Sequence, residues 1–167
     1  MRVILGHKAR YHFAESAEIE QRELLLSLFG TGARKQSARV GRIDRNLARL
    51  VNAQTEIVAV SAVTLMKVKG KHAEILYSDL ELLQHGFTTG RVQQDGSRHL
   101  LFLFRDPRKP TRTLKAVVKA AHHGQELLLA SYHVCTGKRL TAALKKGIVV
   151  RDAEMASGRP PQQSPAL

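Results

Sequence analysis

The chain is short of several things at once. It has one cysteine, Cys135, no tryptophan, and aromatic residues at only 5%. A lone cysteine excludes an internal disulfide and gives no reason to expect an oxidising compartment. In a strand-like stretch it reads as a small buried residue. No segment reads as long and apolar enough for a membrane span, and MRVILGHKARYH returns to charge too soon for a signal peptide. A cytoplasmic protein without membrane contact is expected. Motifs for metals and nucleotides are missing too: no CxxC, no HExxH, no clustered carboxylates, no GxGxxG after a strand, no GKS or GKT loop. Neither a metal nor a cofactor is expected.

Acidic residues are also scarce. Asp and Glu number 14 against 27 Lys and Arg, a net charge of +13 over 167 residues. Balanced charge is enough for solubility. An excess of one sign points instead to a polyanion, and RNA (tRNA included) is the expected partner. A membrane surface fits less well, because no long basic amphipathic helix carries Trp or Phe on its apolar face.

Periodicity predicts the elements. From about Ala14 to Phe29 an amphipathic helix is expected, acidic at its start and ended by Gly30-Thr31-Gly32. Between Ala33 and Asn52, Val40, Ile43, Leu47, Leu50 and Val51 recur at helical spacing, which predicts a second helix with a cationic outer face of Arg39, Arg42, Arg45 and Arg49. Ile57–Val60 reads as a short strand. Ser61 is an N-cap for a helix to about His72, with Leu65 and Val68 inward. Another helix is expected from Ser78 to Gly86, then strands near Thr89–Gln94, His99–Phe104, Thr113–Ala121 and Glu126–His133. Asp106-Pro107 is expected to break the ladder between the middle pair. A short helix from Lys138 to Lys146 and a possible strand Ile148–Val150 complete the pattern. The fold class expected is α+β: N-terminal helices, then a small antiparallel sheet of about four strands. The expected division is a helical region 1–55, a second unit 56–151 and a disordered tail 152–167.

Chemistry concentrates in the last hairpin. Lys119, Ser131 and His133 lie along it, Thr136 and Lys138 follow it, and Lys71-His72 closes an earlier helix. Cutting RNA without a metal needs a base for the 2′-hydroxyl, an acid for the 5′-oxygen, and donors for the charge on phosphorus. Imidazoles suit the first two tasks; lysine, arginine and hydroxyls suit the third. Ser131 and His133, two apart on a strand, project from one face. Each residue also has a plainer reading: His72 as a helix C-cap, Ser131, His133 and Lys119 as polar strand residues.

The order of these features resembles the small phage-borne nucleases related to barnase, EndoU, colicin nuclease domains and RelE. The matching residues are Val58-Ala59-Val60-Ser61, Lys71-His72-Ala73-Glu74, Tyr77 to Leu83, Val117-Val118-Lys119-Ala120-Ala121, Gly124-Gln125-Glu126, and Ser131-Tyr132-His133 with Thr136. They span about Glu56 to Arg151. Ala73 stands where those nucleases have Pro, and Ala121 where they have a Thr after the lysine. The resemblance implies a metal-independent ribonuclease, used as a toxin or delivered with a phage particle. The expected chemistry is transesterification to a 2′,3′-cyclic phosphate. His72 and His133 would transfer protons, Lys119 would meet transition-state charge, and Ser131 and Thr136 would orient the phosphate. Lys71, Lys138 and Arg39, Arg42, Arg45 and Arg49 would add nucleic-acid affinity. An immunity, virion or host protein could dock on the N-terminal helices. The alternative is a non-catalytic protein on the same fold that binds nucleic acid or blocks host machinery.

Overall fold

The computed structural model describes residues 23–25, 29 and 37–153. From Ser37 the chain runs β1 (Ser37–Arg42), α1 (Arg45–Leu50), β2 (Ile57–Ser61), α2 (Ala62–Lys71), α3 (Tyr77–Leu80), α4 (Leu83–Thr89), β3 (Arg91–Asp95), β4 (His99–Asp106), β5 (Lys109–Ala121), β6 (Glu126–Val134), α5 (Gly137–Leu144) and β7 (Ile148–Arg151). The strands form one seven-stranded sheet in the order β1-β2-β6-β5-β4-β3-β7. β2 and β6 are parallel, and all other neighbours antiparallel. A mixed seven-stranded sheet with helices interspersed replaces the expected helices followed by four antiparallel strands; the class remains α+β. Among the described residues, no helix is long and apolar enough to cross a membrane.

The expected basic helix is the main correction. Its first part is β1, where Ala38 and Val40 are buried and Arg39 points the other way. Those residues satisfy a period of two as well as a helical one, and tertiary pairing with β2 decides between them. Gly41 follows a register shift. Gln84 accepts from the Arg42 amide at 2.7 Å and donates to the Arg42 carbonyl at 3.0 Å, so the edge backbone is satisfied from α4. Only then does a helix begin: the Asp44 carboxylate accepts from the Asn46 amide at 2.7 Å and caps α1. Residues 37–55 therefore share the sheet and core of the chain that follows. The helix expected over Ala14–Phe29 lies outside the described residues except at 23–25 and 29, whose Leu24, Leu25 and Phe29 pack on the core. Most of the tail lies outside them too, from residue 154 onward.

Other elements follow the pattern with shifted boundaries. Ser61 Oγ accepts from the Thr64 amide at 3.2 Å, and Leu65 and Val68 are buried. The helix expected from Ser78 to Gly86 is two short ones, α3 and α4. Asp106 pairs with Lys109 around a tight Pro107-Arg108 turn, but the β4–β5 register shifts between Arg105, which pairs with Thr113, and Asp106, so the ladder is interrupted where Asp106-Pro107 was expected to interrupt it. At the β5–β6 turn His122, His123 and Gly124 all have positive φ. A Cβ on Gly124 would stand 2.0 Å from the Asn52 carbonyl oxygen, so glycine lets this turn press against the loop after α1.

One face of the sheet buries Val58, Val60, Phe102, Phe104, Ala116, Val118, Leu129 and Tyr132 against α1, α2, α3 and α4. Among the described residues, the opposite face is covered by a helix only locally. There α5 sets Leu140, Ala143 and Leu144 on Leu103 and Cys135. The partly open remainder of that face carries the candidate site.

Replacing a helical glycine by alanine ordinarily stabilises by about 0.5–1 kcal/mol. In α4, a Cβ on Gly86 would lie 2.2 Å from the buried Phe104 ring. Overpacking costs about 1–3 kcal/mol, so it wins over propensity. Gly86→Ala is expected to lower the urea midpoint of unfolding, not raise it.

Candidate active site

A single unpaired residue determines which β6 side chains reach the open face. Leu127 and Leu129 point into the core and Leu128 away from it. Unbroken alternation would then turn Ser131 and His133 inward. Instead Val118 pairs with Leu129 and Val117 with Ser131, leaving Ala130 as a bulge. The bulge inverts the alternation, so Tyr132 is fully buried while Ser131 and His133 emerge opposite Val117 and Lys115.

His72 arrives from the other side, as the first residue past α2; its amide donates to the Val68 carbonyl at 2.8 Å. The rings of His72 and His133 stack with centroids 4.8 Å apart and planes 20° apart. Each is held by a neighbour. Ser131 Oγ lies 3.2 Å from His133 Nδ1, and Glu74 Oε1 lies 3.5 Å from His72 Nδ1. Lys115 is directly opposite His133 across the hairpin. His72, His133 and Lys115, together with Cys135, Arg139 and Lys146, line an open cleft of about 440 Å³. The roof is α5, secured at its C-terminus by the buried Gln93 amide. Its Nε2 donates to the carbonyls of Ala143 at 2.9 Å, Leu144 at 3.3 Å, and Lys146. Helix-end carbonyls that would otherwise lack partners are thereby satisfied.

Lys115, Arg139 and Lys146 line the cleft and no carboxylate does, although Asp95 offsets part of the Lys146 charge at 2.9 Å; the balance favours an anion there. Burial, then the nearby His72, Lys115 and Arg139, push His133 down to about 4, so the ring is neutral at neutral pH. Burial pushes the Cys135 thiol up, which removes it as a nucleophile. Among the described residues, no group of three or more His, Cys, Asp or Glu gathers as a metal-ligand set.

Beneath the cleft lies a four-charge cluster. Asp79 and Asp106, each with side chains 2% exposed, share Arg108 and Arg112. Arg112 Nη1 stands 2.7 Å from Asp79 Oδ1 and 3.0 Å from Asp106 Oδ2, while its Nη2 donates to the Glu74 carbonyl at 3.2 Å. The Tyr132 hydroxyl donates to the Asp79 carbonyl at 2.7 Å. Burial works to raise the Asp79 carboxyl, but hydrogen bonds from Arg112, the Leu76 amide and Arg108 hold it below its usual range. Hydrogen bonding from Arg108 holds Asp106 far lower. The cluster thus clamps the His72–Glu74 loop to β6 at Tyr132, between Ser131 and His133.

The structure brings His72, Ser131 and His133 together and separates the other expected residues from them. Lys119 shares their face but pairs with His99 and Leu128, four residues along β5 from Lys115. At strand rise that is about 13 Å. Thr136 and Lys138 are exposed at the start of α5, outside the cleft lining, and Lys71 is the exposed last residue of α2. The four arginines do not share a helix: Arg39 and Arg42 are on β1, Arg45 and Arg49 on α1. Arg42 and Arg45 converge on Glu56 at 3.2 and 2.9 Å, which offsets part of their charge. Lys115, Arg139 and Lys146 were missed by sequence reasoning, and Glu74 stands in the Lys71–Glu74 match without a role. Only the hairpin register, with Lys115 opposite His133, could have pointed to the first of them.

Two expectations follow. His133 takes its proton near pH 4 in the folded protein and near 6.5 when unfolded. The unfolded state therefore binds the extra proton between those values, and stability falls as pH drops from about 6.5 to 4. Allowing for solvent access the loss is about 2 kcal/mol. Urea midpoints at pH 7 and 4.5 are expected to differ more for the natural chain than for His133→Gln. Arg112→Met leaves two buried carboxylates to share Arg108 alone and is expected to cost about 3 kcal/mol by urea denaturation.

Comparison with known proteins finds no matching family model, curated protein or solved structure. Any function assigned to this chain therefore rests on its own geometry.

Proposed function

We propose that the cleft cuts RNA by general acid–base transesterification. The observation that carries this reading is the stacked His72–His133 pair at the wall of a cationic cleft. His133, neutral and held through Nδ1 by Ser131, takes the proton of the ribose 2′-hydroxyl at Nε2. The 2′-oxygen forms a bond to phosphorus as the bond to the 5′-oxygen breaks, leaving a 2′,3′-cyclic phosphate. Protonated His72, steadied by Glu74, gives its proton to the departing oxygen. Two imidazolium ions stacked at this distance would repel. The pair therefore holds one proton in total before and after the step, which is the division of labour an acid and a base need. Lys115 and Arg139, which line the cleft beside His133, would meet the charge growing on the phosphorane in place of Lys119.

Incubating the pure chain with tRNA and total RNA in EDTA tests the reading. Products should carry 2′,3′-cyclic phosphate and 5′-hydroxyl ends, and His72→Ala and His133→Ala should each slow cleavage by about 10²–10⁴-fold. Undiminished cleavage in either variant overturns the assignment. RNA bound steeply with salt but left intact would make the chain a binding protein instead. The acid limb of kcat/KM, which reports the free protein, is expected near pH 4. A bound phosphodiester offsets the surrounding cations and favours protonated His133, so the acid limb of kcat should lie at higher pH.

A further inference from the structure

The cleft is one end of a longer electropositive face. Cross-strand partners run Arg39 to Ala59, Ala59 to Leu128, Leu128 to Lys119, Lys119 to His99 and His99 to Asp95. Residues directly opposite each other share a side of the sheet, so this row crosses six strands on the face that also carries His133 and Lys115. Among the described residues, Lys119 has no carboxylate in an ion pair. Burial and then Lys119 push His99 below its usual range, so the ring faces Lys119 as a neutral hydrogen-bonding group. Lys146 belongs to both regions, lining the cleft and pairing with Asp95 at 2.9 Å. Asp95 offsets part of the Lys146 charge, and the cations of this face include Arg139 at the cleft and Lys119 beyond it. Yet Lys119, about 13 Å along β5 from Lys115, is too far to serve the phosphate at the histidines. Between the cations lie Val117, Leu128 and Ala59, a half-buried aliphatic floor on which bases can rest.

We propose that Lys119 and His99 form a second phosphate subsite, which holds a remote phosphodiester of the same single RNA strand while the cleft holds the scissile one. The strand leaves the cleft under α5 and crosses the open face toward β1. A single strand fits because it can enter the narrow cleft and lay its bases on the sheet. Cleavage of that strand rests on the function proposed above; its binding does not.

The test uses the full chain carrying His133→Ala, so that RNA stays intact, with and without Lys119→Ala. Binding of a fluorescent 12-mer of uridylate and of a uridine dinucleotide is read by anisotropy and by competition. Lys119→Ala should weaken the 12-mer about tenfold and reduce its salt slope by about 0.7, leaving the dinucleotide unchanged. Lys119→Arg should restore 12-mer binding and show that the fold is intact. Equal weakening of both ligands would place Lys119 in the cleft and overturn the subsite. An unchanged 12-mer affinity would overturn it too, even if the natural chain cuts RNA. Lys119-dependent binding of a 12-mer that the natural chain never cuts would support the subsite and defeat the nuclease reading.

Discussion

Two carboxylates and two guanidinium groups, Asp79, Asp106, Arg108 and Arg112, hold the working end of this molecule together. A buried charge is tolerated only when it is paired and hydrogen-bonded, and here each aspartate meets both arginines. The cluster joins α3, the β4–β5 turn and the start of β5. Through Glu74 and Tyr132 it also ties the loop after α2 to β6. Those last two bonds place His72 over His133. Without them, a histidine at a helix end and a histidine on a strand would have no reason to stack.

A second constraint acts on the strand itself. The unpaired Ala130 lets β6 give Leu127 and Leu129 to the core, then Tyr132 to the core as well, although the spacing between them is odd. The same inversion delivers Ser131 and His133 to the open face. Bulges are common where a side chain must be re-aimed, and this one turns the last hairpin from a plain meander into the wall of an anion site. Burial and surrounding cations then keep His133 neutral, while the Ser131 hydroxyl orients it.

Local signals were legible where one force dominated. Ser61 as an N-cap, Leu65 and Val68 as an inward stripe, the apolar run of β4 and the alternation of β5 were all plain from residue type and spacing. The segment from Ser37 to Leu50 was not, because Ala38, Val40, Ile43 and Leu47 satisfy two periods in part, and only β2 breaks the tie. His72, Ser131 and His133 could be singled out by chemistry. Lys119 and Lys115 could not be told apart, since both sit at even spacing on the same strand and differ only in what lies across from them.

By itself the sequence determined the cationic character of the chain, the lack of disulfide, the α+β class and the types of side chain able to handle a phosphodiester. These depend on composition and on interactions within a few residues. Tertiary structure decided the seven-stranded mixed sheet, the choice of Lys115 over Lys119 beside His133, and the meeting of His72 with His133. Each of those depends on pairing register or on buried charges brought together from distant segments, and neither leaves a periodic trace in the chain.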